Sequence, residues 1–281
     1  MKLKFQVFPP DSRPQLNPSK SEEHARAPLI VLHALFASAR TWQSHARHLA
    51  HRLGRRVYAL DLRNHGNSPH SSRMTYPEMA QDVVEFLDDE LIGEAVLLGH
   101  SMGGKVAMTL ALSHSQRCRA LIVLDIAPVG YAGDYAEVFQ ALKAVARSKV
   151  SSRRAADAIM QPLIPEPSTR QFLLTNLIRQ SDNQTTRLVW RLNVDAIEKN
   201  MPALAAFPAQ FGASNPPARY QGPTLFLRGE RSHYITEAGL ARIRHFFPQA
   251  RIHTLKGAGH WINVDAGDAM LEEISTFLSE T

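Results

Sequence analysis

The 281-residue sequence has a single cysteine, Cys118, so no disulfide can close within the chain. That shortage fits a reducing compartment and a chemistry that does not run on thiols. Following Ser115-Gln116-Arg117 at the close of a helical run, Cys118 reads as a helix end. The sequence also lacks any window close to the ~20 consecutive apolar residues of a membrane span. Its first residues, Met1 to Phe8, alternate like a strand and contain no continuous apolar signal core. A cytoplasmic location is therefore expected, with the mitochondrial matrix as the alternative in a eukaryote. There is no long basic run: the formal charge of +6 is spread over scattered residues and pairs such as Arg55-Arg56 and Arg153-Arg154. Such scatter gives solubility and a mild bias toward anionic ligands, and a nucleic-acid partner is not expected without a clustered basic face. Internal repeats and low-complexity tracts are missing as well.

With 44% hydrophobic and 21% charged residues, the sequence describes a globular chain long enough for one large α/β domain plus an insertion. From Pro28 onward, strand-like and helix-like segments alternate, the signature of a parallel sheet flanked by helices. Pro28 to Leu32 reads as a buried strand, and Arg56 to Leu60, Ala95 to Leu98 and Ala120 to Leu124 read as further strands. Helices are predicted over 41–53, 76–91 and from the residues after Ser101 to about His114, with Pro77 in a first turn that tolerates it. After Asp125 the rhythm breaks, and residues 130–220 form a predominantly helical insertion. Tyr135, Val138, Phe139, Leu142 and Val145 recur at helical spacing, and Ser168 is placed to cap a helix through Gln180. The insertion ends in the loop-like stretch 213–217. The strand Pro223 to Leu227, a helix over 236–247, the strand 250–255 and a helix over 266–278 complete the pattern. The expected domains are a core of 1–129 and 221–281 with a lid of 130–220 over the carboxyl ends of the strands, where open α/β sheets bind ligands.

The chemistry concentrates at Gly99-His100-Ser101-Met102-Gly103, between a strand and a helix. Serine at the apex of a strained strand-to-helix turn, with small residues where two backbones pass closely, describes a nucleophile elbow. A serine hydroxyl needs a base in reach and an acid to orient that base. His260 follows the last predicted strand in Gly257-Ala258-Gly259-His260-Trp261, where a loop can bring imidazole over the elbow. For the acid, Asp125 closes the strand after the elbow helix and is favoured over Glu230, which follows the strand after the insertion. Met102, directly after the serine, offers one backbone N–H for an oxyanion hole. His45, His48 and His51 lie three apart on a predicted helix, but no neighbouring carboxylate or cysteine completes a set, and no metal is expected.

Asp61-Leu62-Arg63-Asn64-His65-Gly66-Asn67-Ser68-Pro69, Gly99 to Lys105, Leu124 to Val129, Trp190-Arg191-Leu192-Asn193 and Gly257 to Trp261 carry a family resemblance. Through them the chain resembles α/β-hydrolase-fold esterases of the bacterial YbfF type and their mitochondrial hydrolase-domain relatives. The resemblance implies the α/β-hydrolase fold, supports Asp125 as the acid, and makes serine at 232 expected. It also implies that the second oxyanion donor is Leu35, in His33-Ala34-Leu35-Phe36, where the family pattern is His-Gly and Ala34 replaces the glycine. If that position requires positive φ, Ala34 carries strain and the hole is displaced.

The expected function is a serine hydrolase that cleaves small carboxylic esters or acyl thioesters through an acyl-enzyme on Ser101, with no cofactor. Carbon-carbon bond hydrolysis or acyl transfer by the same three residues, or a non-catalytic ligand-binding protein on this fold, are the alternatives. Candidates for the substrate pocket are Phe36, Trp190, Tyr234 and Trp261. At helical spacing, Phe139, Leu142, Phe172 and Leu173 of the lid serve either as pocket walls or as lid core.

Overall fold

The computed structural model describes residues 1–10, 26–181, 186–213 and 218–281. Its frame is a seven-stranded sheet. The strands are β1 (Lys4–Phe8), β2 (Leu29–Leu32), β3 (Val57–Asp61), β4 (Ala95–His100), β5 (Cys118–Leu124), β8 (Thr224–Gly229) and β9 (Ala250–Leu255). Their spatial order is β1-β3-β2-β4-β5-β8-β9, with β1 antiparallel to β3 and every other pairing parallel.

The central strands β2, β3, β4, β5 and β8 are mostly apolar because both faces of the sheet are covered there, whereas the edge strands β1 and β9 carry exposed polar residues. Successive residues divide between two cores, as a period of two demands. Ile30, Leu32, Leu97, Leu121, Val123 and Phe226 enter one core, whereas Leu29, Val31, Val96, Leu98, Ile122, Leu225 and Leu227 enter the other. The first core is closed by α2 (Tyr76–Asp89) and α3 (Met102–Ser113), and the second by α1 (Gln43–Leu53) and α11 (Gly267–Ser279). Helix α2 starts at a capping box: the Thr75 hydroxyl accepts from the Glu78 amide while the Glu78 carboxylate accepts from the Thr75 amide. Cys118 opens β5 after a short 3-10 turn rather than ending a helix, at the sheet edge opposite the carboxyl ends of the strands.

Between β5 and β8 the chain forms α4 (Ala136–Arg147), α5 (Arg153–Met160), α6 (Pro167–Leu174), strands β6 (Leu177–Ser181) and β7 (Thr186–Trp190), α7 (Val194–Ala205) and the short α8 (Gln210–Ala213). The antiparallel pair β6–β7 departs from the helical expectation for this region. The helix expected to run through Gln180 stops at Leu174, and its cap is Glu166, whose carboxylate accepts from the Ser168 amide. Asn176 supplies the physical reason. Its side-chain amide donates to the Phe36 carbonyl at 2.7 Å and to the Leu173 carbonyl, drawing the chain out of the helix toward the core. The β-rich stretch after it then pairs instead of coiling. Residues 214–217 of the loop expected at the end of the insertion lie outside the described residues. The last helices are α9 (Glu237–Phe246) and the one-turn α10 (Ile262–Asp265), which precedes α11.

Candidate active site

Ser101 stands between β4 and α3 with φ 52° and ψ −115°, a strained conformation that lifts its hydroxyl clear of both elements. The tightness of the turn explains its glycines: a Cβ on Gly103 would lie 2.2 Å from the Leu32 carbonyl oxygen, and one on Gly99 would lie 2.3 Å from that of Gly103. Only hydrogen fits at either place.

His260, in the loop between β9 and α10, sets Nε2 3.0 Å from Ser101 Oγ. Its Nδ1 lies 2.8 Å from Asp125 Oδ2, so Nδ1 carries the proton that the carboxylate accepts and Nε2 faces the serine hydroxyl as an acceptor. Asp125 follows β5 at φ 49° and is fully buried. It also accepts from the Gly229 amide at 3.0 Å and from the Ser232 hydroxyl, so three donors converge on one carboxylate. Glu230, the alternative acid, is turned away and accepts from the Gly257 amide at 2.8 Å, bracing the loops after β8 and β9. The three elements that present serine, acid and histidine all end at the same sheet edge, which is how residues 24 and 159 positions apart meet.

Around this line of contacts, aromatic groups fix the imidazole. Tyr234 stacks on His260 with ring centroids 3.9 Å apart and planes 19° apart. The Tyr131 hydroxyl donates to the Tyr234 carbonyl and accepts from the Ala127 amide, tying the two loops together. His100 Nε2 donates to the His260 carbonyl at 2.8 Å, and burial pushes the His100 pKa down to about 3, so this ring is neutral.

The loop 33–36 is held by two more buried, neutral histidines, His33 and His65, whose burial lowers their pKa values to about 4 and about 3. His33 Nδ1 donates to the Ala34 carbonyl while its Nε2 accepts from the Leu62 amide. His65 Nδ1 donates to the Arg63 carbonyl and its Nε2 accepts from the Phe36 amide at 3.1 Å. The expectation of strain at Ala34 is corrected by this geometry: Phe36, at φ 60°, carries the left-handed residue of the loop, and Ala34 is absent from that region. With the Phe36 N–H engaged by His65, the turn leaves Leu35 at the rim of the cavity that contains Ser101 and Met102. Met102 is the first residue of α3, where a backbone N–H has no carbonyl within its own helix.

That cavity has a volume of about 310 Å³. Leu35, Met102, Ile126, Met201 and Leu204 give it apolar walls, and Tyr76, Tyr131, Tyr135, Tyr234, His233 and Lys105 give it polar ones. Of the four pocket candidates from the sequence, only Tyr234 lines it. Phe36 is buried behind the wall against Phe139 and Tyr135. Trp190 is drawn away because its indole N–H donates to the Leu142 carbonyl at 2.9 Å, and Trp261 because its ring packs on Phe172 at 4.6 Å. Phe139, Leu142 and Leu173 belong to the hydrophobic core. Sequence reading does not single out Lys105, Tyr76, Tyr131 or Met201 for the pocket, although the tyrosines six and ten residues beyond Asp125, at 131 and 135, are a legible signal. Among the described residues, no group of three His, Cys, Asp or Glu side chains is placed to hold a metal ion, and no helix is long and apolar enough to cross a membrane.

The description "alpha/beta hydrolase fold" belongs to the family model that matches residues 27–266, and the chain belongs to that family. Among curated relatives it is 40% identical over 257 residues to the mouse sn-1-specific diacylglycerol lipase ABHD11, covering 89% of this chain and 80% of that protein. It is 36% identical over 259 residues to the esterase YbfF of Escherichia coli K12, covering 92% and 95% of the two chains. A probable alcohol acetyltransferase of Saccharomyces cerevisiae is 35% identical over 277 residues, with 92% and 78% covered. Among solved structures, a marine microorganism esterase superimposes with a TM-score of 0.85 at 31% identity, covering 98% of this chain and 99% of that one.

Proposed function

We propose that this protein is a carboxylic ester hydrolase working through an acyl-enzyme on Ser101. One observation carries the reading: the line of contacts from Ser101 Oγ to His260 Nε2 at 3.0 Å and from His260 Nδ1 to Asp125 at 2.8 Å. In this reading His260 takes the serine proton as Oγ attacks the ester carbonyl, and Asp125 stabilises the imidazolium that forms. The backbone amides of Leu35 and Met102 receive the negative oxygen of the tetrahedral intermediate. The imidazolium then protonates the departing alkoxide or thiolate, and water, deprotonated by the same His260, releases the acid. Residues 130–220 act as a lid on the core of 1–129 and 221–281, because α7 and the stretch 131–135 supply the outer wall of the cavity. Relatives named as an esterase and as a lipase support an ester substrate.

The relative named as a probable alcohol acetyltransferase favours one second reading, in which an alcohol rather than water takes the acyl group. The first test is labelling of folded protein with a fluorophosphonate, with peptide mapping. An adduct on Ser101 that is lost in Ser101→Ala and after denaturation is expected. A blank folded sample would refute the assignment. Turnover of p-nitrophenyl butyrate with and without ethanol, scored for butyrate against ethyl butyrate, then separates hydrolysis from transfer.

A further inference from the structure

Lys105 is a basic residue buried in the wall of the Ser101 cavity. It sits one turn into α3, is only 2% exposed, and lines the same 310 Å³ space as Ser101. A buried ammonium ordinarily has a carboxylate beside it. Among the described residues no acidic side chain lines this cavity, and Lys105 forms no ion pair. Its Nζ donates to two neutral carbonyls at the end of α7, Ala205 at 3.0 Å and Ala206 at 2.7 Å. The rings of Tyr131 and Tyr76 lie 4.8 and 5.4 Å from Nζ. An ammonium has three N–H donors, so one remains after the two carbonyls. Burial without an anion pushes the Lys105 pKa down to about 7, as an unmet demand for negative charge requires.

From this we propose that Lys105 is an anion subsite within the acyl pocket, binding the far carboxylate of an acyl group derived from a dicarboxylic acid while its ester carbonyl lies at Ser101. This rests on the ester-hydrolase reading and narrows its substrate class to half-esters. The spacing suits a short chain. Ser101 and Lys105 differ by about 6 Å of helical rise, and helical side chains lean back toward the N-terminus, which brings Nζ over the turn that begins at the serine. Tyr76 and Tyr131 have their hydroxyls committed to the carbonyls of Leu204 and Tyr234. With those two hydroxyls taken, the buried Lys105 ammonium is a group that would distinguish a charged chain end from a methyl.

A merely structural role, pinning α7 to the core, would weaken charged and neutral ligands alike. The experiment therefore reads a ratio. Binding of monoethyl glutarate and of ethyl valerate, chains of matched length, is measured by calorimetry on Ser101→Ala, which cannot form the acyl-enzyme. The half-ester is expected to bind at least about tenfold tighter, the gain of one charge-assisted contact in a dry site. Adding Lys105→Met should collapse that ratio to near one, and Lys105→Arg should keep most of it. Equal binding of the two ligands in Ser101→Ala, no measurable binding of the half-ester, or a ratio that survives Lys105→Met would overturn the subsite. Turnover of the same two esters by the unaltered protein is scored separately. If neither is cleaved while the binding ratio stands, the hydrolase reading fails and the subsite does not.

Discussion

Replacing Asp125 by asparagine changes one atom at the point where three donors meet, and the structure dictates how that atom will be placed. The Gly229 amide requires an acceptor 3.0 Å away at Oδ1, deep in the core. Turning the new amide group toward it would strand a buried N–H, at a cost of about 1–3 kcal/mol. The amide nitrogen is thus forced to the side occupied by His260 Nδ1 and the Ser232 hydroxyl. There it can only donate, so His260 must shift its proton to Nε2, and a protonated Nε2 cannot accept from Ser101. A serine enzyme held in the wrong tautomer loses about 10⁴ in turnover, equivalent to about 5 kcal/mol of transition-state stabilisation. Steady-state kinetics with p-nitrophenyl butyrate would measure it, with Ser101→Ala as the floor and Glu230→Gln as the companion variant. The Glu230 carboxylate is engaged by the Gly257 amide, so Glu230→Gln should stay within a few-fold of the unaltered protein. An Asp125→Asn variant within tenfold of the unaltered protein, or a Glu230→Gln variant equally disabled, would refute the reasoning.

The buried histidines make stability depend on pH. His33, His65 and His100 have folded pKa values lowered to about 4, 3 and 3 by burial, against about 6.5 in the unfolded chain. Below pH 6.5 the unfolded chain therefore binds protons that the folded chain refuses, and stability falls as pH drops. Integrated from pH 7 to pH 5, each histidine costs about 2 kcal/mol, about 6 kcal/mol together, read by urea unfolding at each pH. A loss below about 2 kcal/mol would contradict three neutral, buried rings. Trp190→Phe removes the bond to the Leu142 carbonyl and should cost about 1–2 kcal/mol in the same unfolding assay. Because Trp190 does not line the cavity, kcat/KM for p-nitrophenyl butyrate should move less than about threefold, and a tenfold loss would return Trp190 to the pocket.

What the sequence disclosed follows from where its signals are local. The β4-elbow-α3 unit is written in consecutive residues, because the backbone collisions that demand Gly99 and Gly103 occur within one turn and its neighbouring strand. The central strands are legible as apolar runs because both their faces are buried. Asp125 is read as the acid from its place at a strand end and from the family resemblance; its carboxylate faces His260, whereas that of Glu230 faces the Gly257 amide. The β6–β7 pair was not legible, since what ends α6 is a hydrogen bond from Asn176 to Phe36, 140 residues away. The same limit applies to the oxyanion loop. Its positive φ falls on Phe36 rather than Ala34 because His65, from the loop after β3, captures the Phe36 amide. Lys105 is buried under α7, whose carbonyl partner Ala205 lies 100 residues further along the chain, so no local signal marks it.

The central claim is that Ser101 becomes acylated, and a rapid-quench measurement of intact mass during turnover of p-nitrophenyl butyrate tests it most directly. The predicted result is a single butyryl group on the peptide that contains Ser101, formed in a burst of p-nitrophenol close to one per active chain and missing in Ser101→Ala. Turnover of the ester with the protein unmodified at every time point, or with the butyryl group on another residue, would contradict it.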